Sequence, residues 1–314
     1  NKEMISEEFV VAFMNEHRAF FETHELSFFE MSVGLAFDYF DKMNVDIAII
    51  EVGMGGRLDS TNVITPLISV ITNIGFDHTA FLGNTLPLIA AEKAGIIKNN
   101  IPVVIGEYTE ETKAIFDAKA KEHNATIYFA SDLISENYPS ALLGNYQIHN
   151  KKTVLQTISV LQSQNQFVIE EDQIRNGLLK VIENTGLQGR WQQLHEHPKV
   201  ICDTAHNAAG LKSVMDQLHQ ERYKQLHIVL GVVNDKDLTE ILPLFPKNAT
   251  YYFCKPNIPR GLEAATLKEK SEDYNLIGAV YASVSDAYQA ALANADPSDF
   301  IYIGGSNFVV AEIL

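Results

Sequence analysis

Only two cysteines, Cys202 and Cys254, occur in 314 residues. That is too few for a disulfide framework, and the expected setting is a reducing cytoplasm. Basic residues are also scarce: 24 Lys+Arg stand against 40 Asp+Glu, a formal charge of −16. That balance argues against a broad electrostatic grip on nucleic acid or on an anionic membrane. It leaves room for a nucleotide held locally by a few cations and backbone N–H groups. No apolar run approaches the roughly 18 residues a bilayer span needs. No Gly-Lys dipeptide occurs, so the chain has no G-x-x-x-x-G-K-[ST] phosphate loop. The Lys212-Ser213 and Lys270-Ser271 pairs lack the preceding glycine. There is no internal repeat, heptad pattern or low-complexity segment.

Apolar material is ample, at 46% hydrophobic and 20% charged residues. With the length, this predicts a globular chain of two domains. Ser6 is placed to cap a helix with Glu7 and Glu8 in its first turn. Residues 45–52 (VDIAIIEV) form an almost unbroken apolar run, the signature of a strand buried on both faces of a parallel sheet. Residues 67–72 and 102–106 read the same way. Further strands are predicted at 199–203, 226–231, 249–253 and 299–303. Helices are predicted at 111–122, 151–163, 171–183, 210–220, 262–272 and 284–295. This alternation predicts an α/β architecture with mostly parallel sheets. The expected boundary lies near Gly186 to Gly189, giving domains 1–185 and 186–314.

Polar clusters follow several of these strands. Glu51-Val52-Gly53-Met54-Gly55-Gly56-Arg57 places a carboxylate and three glycines at a strand end, where open α/β sheets bind ligands. Glu51 suits Mg²⁺, a hard cation that prefers oxygen donors. A tight turn with a solvated Glu accounts for the same residues. At the next strand end, His78 follows Asp77 and is either a ligand, a general base or a structural histidine. Lys93, in Ala91-Glu92-Lys93-Ala94-Gly95, reads by composition as an ordinary cation at a helix C-terminus, with Gly95 as the stop.

The second half adds four more clusters. Gly144-Asn145-Tyr146-Gln147 offers amides that can face a purine edge, or a plain loop before a helix capped by Asn150. Arg190, beside the only tryptophan, Trp191, is either a phosphate ligand or a stacked surface arginine. Asp203-Thr204-Ala205-His206-Asn207 lies between a strand and a helix, a favourable site position. Gly304-Gly305-Ser306-Asn307 forms a similar, shorter turn.

Taken together, these segments resemble the folylpolyglutamate synthase/dihydrofolate synthase family, relatives of the Mur ligases. The resembling pieces are EVGMGGRLDSTNV (51–63), ITNIGFDHTAFLG (71–83), IAAEKAGIIK (89–98), LLGNYQIHN (142–150), LQGRWQ (187–192), CDTAHNAAG (202–210) and GGSNFVVAEIL (304–314). Each is weak alone; seven in family order are specific. The resemblance implies an ATP-dependent amide ligase working through an acyl phosphate, with L-glutamate as the incoming amine. The acceptor is dihydropteroate, a reduced folate, or both. It implies Glu51 and His78 as Mg²⁺ ligands, and Lys93 as a carbamylated lysine that holds a second Mg²⁺. Such a lysine must first be neutral, so burial should lower its pKa. By the same resemblance Asp59 lies near the pterin. Asn145 and Gln147 lie beside adenine, Arg190 on the phosphates, and Asp203 by the ribose or nearby polar groups. His206 and Ser306 lie around the glutamate. Ala208 stands where the family usually has proline.

The resemblance also implies a P-loop-type Mur ligase central domain (1–185) and a smaller Rossmann-like glutamate-ligase domain (186–314), with the active site in a cleft that closes between them. The family's phosphate loop lies upstream of the strand carrying Glu51. Its absence, with a first residue Asn1 that is not Met, predicts a chain that starts after it and is inactive alone. A monomer with no nucleic-acid or membrane partner is expected. The rival readings are a Mur-type cell-wall amino-acid ligase, which needs a further N-terminal domain, and a non-catalytic binding protein derived from a ligase.

Overall fold

The computed structural model describes residues 3–135 and 137–314. Packing groups them into two compact units: residues 3–135 with 152–169, and residues 137–151 with 170–314.

The first unit opens with two helices, Glu7–His24 and Phe28–Lys42, each started by a serine cap, Ser6 and Ser27. Its sheet has three strands, β1 (Ser69–Ile71), β2 (Val103–Ile105) and β3 (Ile127–Phe129), parallel and in that order. Parallel neighbours need crossover connections. Here these are the helices Leu86–Ala94 and Glu110–Glu122. Both cover the same face, where Ala90, Ala94, Phe116 and Ala120 pack on Ile71, Val103 and Ile105. Val160, from the helix Gln147–Ser163, packs with Val104 and Ala130 on the other face.

The apolar run 45–52 is the main departure from expectation in this unit. It forms no strand, and Ile47 and Ile49 are 49% and 90% exposed. Apolar, β-branched composition favours a pleated, covered surface, but a strand exists only through ladder bonds to a neighbour. Among the described residues β1 pairs with β2 alone.

The second unit holds six strands: β4 (Gln192–His195), β5 (Lys199–Cys202), β6 (Leu226–Leu230), β7 (Thr250–Phe253), β8 (Gly278–Val280) and β9 (Phe300–Gly304). Their order is β4-β5-β9-β6-β7-β8, parallel except for β4. The central strands β6 and β9 are buried at every residue, including His227 of β6, whose ring nitrogens lie 3.0 Å from Tyr252 Oη and 3.4 Å from Asp299 Oδ2. The helices Ala208–Leu218 and Ala264–Glu272 cover one face through Leu211, Val214 and Leu267. The helices Val284–Asn294 and Asn307–Ala311 cover the other through Val284, Ala287 and Val309. β9 returns to lie between β5 and β6. The carboxyl ends of those three strands therefore flank the switch point where such sheets bind ligands.

Segment 137–151 belongs with the second unit because its backbone is bonded there. Ala141 N donates to Leu178 O at 3.2 Å, and Gln217 holds Leu143 O and Asn145 N. The helix expected at 151–163 begins at Gln147, so Asn150 is inside it rather than capping it. Asn150 Nδ2 instead donates to Gln147 Oε1 at 3.0 Å. Strands β3, β4 and β8 are short and were not evident from composition.

Candidate functional site

In the first unit, the glycine loop after residue 51 is closed on itself by Asp59. Its Oδ2 accepts from Met54 N at 2.9 Å, and its Oδ1 accepts from Thr61 N at 3.0 Å and Thr61 Oγ1 at 2.5 Å. Burial pushes the Asp59 carboxyl up, but these donors outweigh it and hold it below its ordinary value of 3.8. Asp59 is thus the residue that shapes the loop.

The loop in turn is seated on the end of helix Leu86–Ala94. Arg57 N donates to Glu92 O at 2.9 Å, and the Arg57 guanidinium donates to Glu92 Oε1 from Nε and NH2 at 3.2 and 2.9 Å. Asn62 Nδ2 donates to Arg57 O and to Gly95 O, and Lys98 Nζ to Asn62 O. A Cβ on Gly56 would stand 2.8 Å from Glu92 O and 2.9 Å from Lys93 O. Only glycine lets the backbones approach this closely. The two motifs read separately from the sequence, GMGGR and EKAG, are each other's packing partner.

Lys93 lies at this junction. Burial lowers its pKa, and the nearby Asp77 carboxylate opposes the shift in part. The shift is in the direction that a neutral amine, and so carbamylation, requires. Asp77 also accepts from His78 N at 2.9 Å. His78 itself has a left-handed backbone, φ 49°, rare outside glycine and a form of strain that gathers at functional sites. Asp77 thus stands beside both His78 and Lys93, while Glu51 is exposed on the loop. Among the described residues, no group of three or more His, Cys, Asp and Glu is gathered to hold a metal. Glu51 and His78 are a sparse donor set. A Mg²⁺ here would have to take most of its ligands from phosphate oxygens and water.

In the second unit, Asp203 directly follows β5 and is 2% exposed. Its Oδ2 accepts from Tyr146 Oη at 2.8 Å and Trp191 N at 2.7 Å, and its Oδ1 from Ala205 N at 2.8 Å. Burial raises its pKa against the pull of these donors and of Arg190. Three donors occupy this carboxylate, so its role in the structure is to tie three loops together. Arg190 NH1 donates to Thr204 Oγ1, and to Gly189 O at 3.4 Å. His206 Nδ1 lies 3.0 Å from Thr204 O, an acceptor only, which puts the proton on Nδ1. Ser306 is buried, and its Oγ accepts from Phe308 N at 3.2 Å as a helix cap. Asn145 is exposed and Gln147 buried.

The structure therefore gathers Arg190, Asp203 and Tyr146 about β5, with His206 in the same loop. Tyr146 and Thr204 lay inside motifs singled out in the sequence, but for other residues. Gln217, on a helix face, carried no sequence signal.

The comparisons agree with this architecture. Residues 2–170 match the Mur ligase middle domain and residues 189–307 the Mur ligase glutamate ligase domain. A probable bifunctional folylpolyglutamate synthase/dihydropteroate synthase of Haloferax volcanii is 31% identical over 312 residues, covering 91% of this chain and 36% of that one. The folylpolyglutamate synthase of Lacticaseibacillus casei is 30% identical over 312 residues, covering 91% of this chain and 70% of that one. A crystal structure of a bifunctional folylpolyglutamate synthase/dihydrofolate synthase with Mn, AMPPNP and L-glutamate bound superposes with a TM-score of 0.82 at 26% identity. It covers 99% of this chain and 76% of that one. The chain thus spans about a third of the first relative and about 70% of the second. By its two domain matches and these relatives, the chain belongs to the folylpolyglutamate synthase/dihydrofolate synthase family of Mur-type ligases.

Proposed function

We propose that this chain carries the nucleotide and amino-acid sites of an ATP-dependent amide ligase that adds L-glutamate to dihydropteroate, to reduced folates, or to both. The observation that carries this reading is Lys93. A lysine serving only the helix dipole would sit in solvent, whereas this one is half-buried, with the Asp77 carboxylate near it and burial lowering its pKa. The related enzyme with Mn, AMPPNP and L-glutamate bound supports the same choice of nucleotide, divalent cation and amino acid.

In the proposed reaction the acceptor carboxylate attacks the γ-phosphorus of ATP, the β,γ P–O bond breaks, and ADP leaves. The glutamate amine then attacks the acyl phosphate carbon and loses a proton. The tetrahedral intermediate expels phosphate and leaves an amide. Such chemistry asks for positioning and charge neutralisation around the transferred group. Arg190 supplies a fixed cation for a phosphate, and Asn145 and Gln147 supply amides for the adenine. Asp203 orders the loops around them. His206 and Ser306 stand in the loops assigned to glutamate, and Asp59 shapes the loop assigned to the pterin. Mg²⁺, when bound, supplies charge neutralisation on phosphate oxygens. Glu51 and His78 would hold it, and Lys93, carbamylated, would hold a second ion. The ligands are small molecules, and a monomer in the cytoplasm is expected. No helix among the described residues is long and apolar enough to cross a membrane. With no G-x-x-x-x-G-K-[ST] loop in its sequence, the 314-residue chain is expected to bind these ligands without turning over ATP.

Calorimetric titration with ADP and Mg²⁺, L-glutamate and dihydropteroate tests this. Saturable ADP and dihydropteroate binding is the expected result. A chain that binds none of the three overturns the reading, and glutamate-dependent ADP release overturns the inactivity.

A further inference from the structure

Arg190 was assigned above to a nucleotide phosphate. A long cationic side chain serves such a role best when it is held in place before the ligand arrives, because ordering it on binding costs conformational entropy. One residue makes three separate contacts with it and its neighbour. Thr204 N donates to Gly189 O at 2.9 Å. Thr204 Oγ1 accepts from Arg190 NH1. The Thr204 methyl carbon fills the space beside Gly189, 2.7 Å from where a Cβ would stand. The flanking residues are fastened too, with Trp191 N on Asp203 Oδ2 at 2.7 Å and Gly189 N on Gln192 Oε1 at 2.7 Å.

We propose that Thr204 is a positioning residue for Arg190. This role rests on Arg190 being a ligand of the nucleotide phosphates. Both side-chain bonds of Arg190 among the described residues use NH1. A guanidinium has five N–H donors, and the Nε and NH2 edge, which makes no hydrogen bond among the described residues, has the geometry to take an oxyanion in a forked pair. The choice of holder matters. A carboxylate partner would neutralise the guanidinium and compete with a phosphate for it. Asp203 is the nearby carboxylate, but its oxygens are taken by Tyr146, Trp191 and Ala205. Asp203 attracts Arg190 through space without a hydrogen bond to it, and a neutral hydroxyl orients the fork without adding a second negative charge beside it.

The test is calorimetric titration of the 314-residue chain and its variants with ADP in Mg²⁺ and, in parallel, with adenosine. Thr204→Val keeps the shape and removes the acceptor; it should weaken ADP about tenfold, the loss of one hydrogen bond to a charged group. Adenosine, which has no phosphate, should bind unchanged. Thr204→Ser should restore ADP binding to within about twofold of wild type, since it keeps the hydroxyl. In an Arg190→Ala background, Thr204→Val should add no further loss, because the residue acts through the arginine. Wild-type affinity in Thr204→Val overturns the proposal, as does an equal loss for adenosine, a Thr204→Ser as weak as valine, or additive losses in the double variant. A wild-type chain that does not bind ADP overturns the nucleotide reading itself, and this inference with it.

Discussion

Arg57 and Glu92, 35 residues apart in the chain, are joined twice: Arg57 N donates to Glu92 O at 2.9 Å, and the guanidinium closes on the Glu92 carboxylate. The backbone bond sets the loop on the helix end. The side-chain pair fixes the register in which the loop meets the residue after Glu92, which is Lys93. Arg57 is about half exposed, so the ion pair is a locator more than a source of stability. A double-mutant cycle with Arg57→Gln and Glu92→Gln should give a coupling of about 0.5–1 kcal/mol in urea unfolding. A coupling near zero would mean the backbone bond alone sets the register.

Two glycines should respond in opposite directions to the same substitution. At Gly56 an added methyl meets two carbonyl oxygens of the helix end, so Gly56→Ala should destabilise the first unit by about 1–3 kcal/mol. At Gly177, inside helix Glu171–Leu179, nothing lies within 4 Å, and alanine should stabilise by about 0.5–1 kcal/mol. Chemical denaturation of both variants reads this, and equal signs would contradict it.

Lys93 should make stability depend on pH in the alkaline range. Burial lowers its folded-state pKa below 10.5, so between the folded and unfolded values the unfolded chain binds more protons. Its contribution to stability therefore rises with pH through that window, from the penalty of a buried charge to none. Lys93→Met should remove this part of the slope in urea midpoints followed from neutral pH to about pH 10. A slope unchanged by the substitution would place the lysine in solvent. Carbon-13 spectra under labelled bicarbonate should show a carbamate resonance in wild type that Lys93→Met lacks.

Tyr146 should matter through Asp203. Tyr146→Phe leaves the ring in place and removes one of the three donors on a carboxylate that is 2% exposed. Hydrogen bonds to charged groups contribute about 1.5–3 kcal/mol, so a loss of that size is expected in unfolding of the second unit. Trp191, the only tryptophan and 3% exposed, donates its backbone N–H to the same carboxylate. Its emission therefore reports the transition. Stability unchanged in Tyr146→Phe would show that water replaces the phenol.

The α/β class and the ordering of the motifs were legible because they follow from local pattern. The largely apolar segments predicted as strands at 226–231 and 299–303 are the buried strands β6 and β9, since a central parallel strand needs covering residues on both faces. The same rule misread 45–52, where composition was right but no ladder partner exists among the described residues. Short strands such as β8 carry too few residues for any periodicity to emerge.

The sequence by itself determined which residue types stand at which strand ends. Glycines, carboxylates, a lysine and an arginine follow the apolar runs, and the phosphate loop is missing from the 314 residues. Tertiary structure alone decided what each of them touches. It turned Asp59 and Asp203 into loop anchors, because buried carboxylates must collect donors from segments far apart in the chain. It set Gly56 against the carbonyls of Glu92 and Lys93, moved segment 137–151 into the second unit, and bound Arg190 to Thr204. Each of these depends on contacts between distant residues, and spacing along one chain does not encode the distance between them.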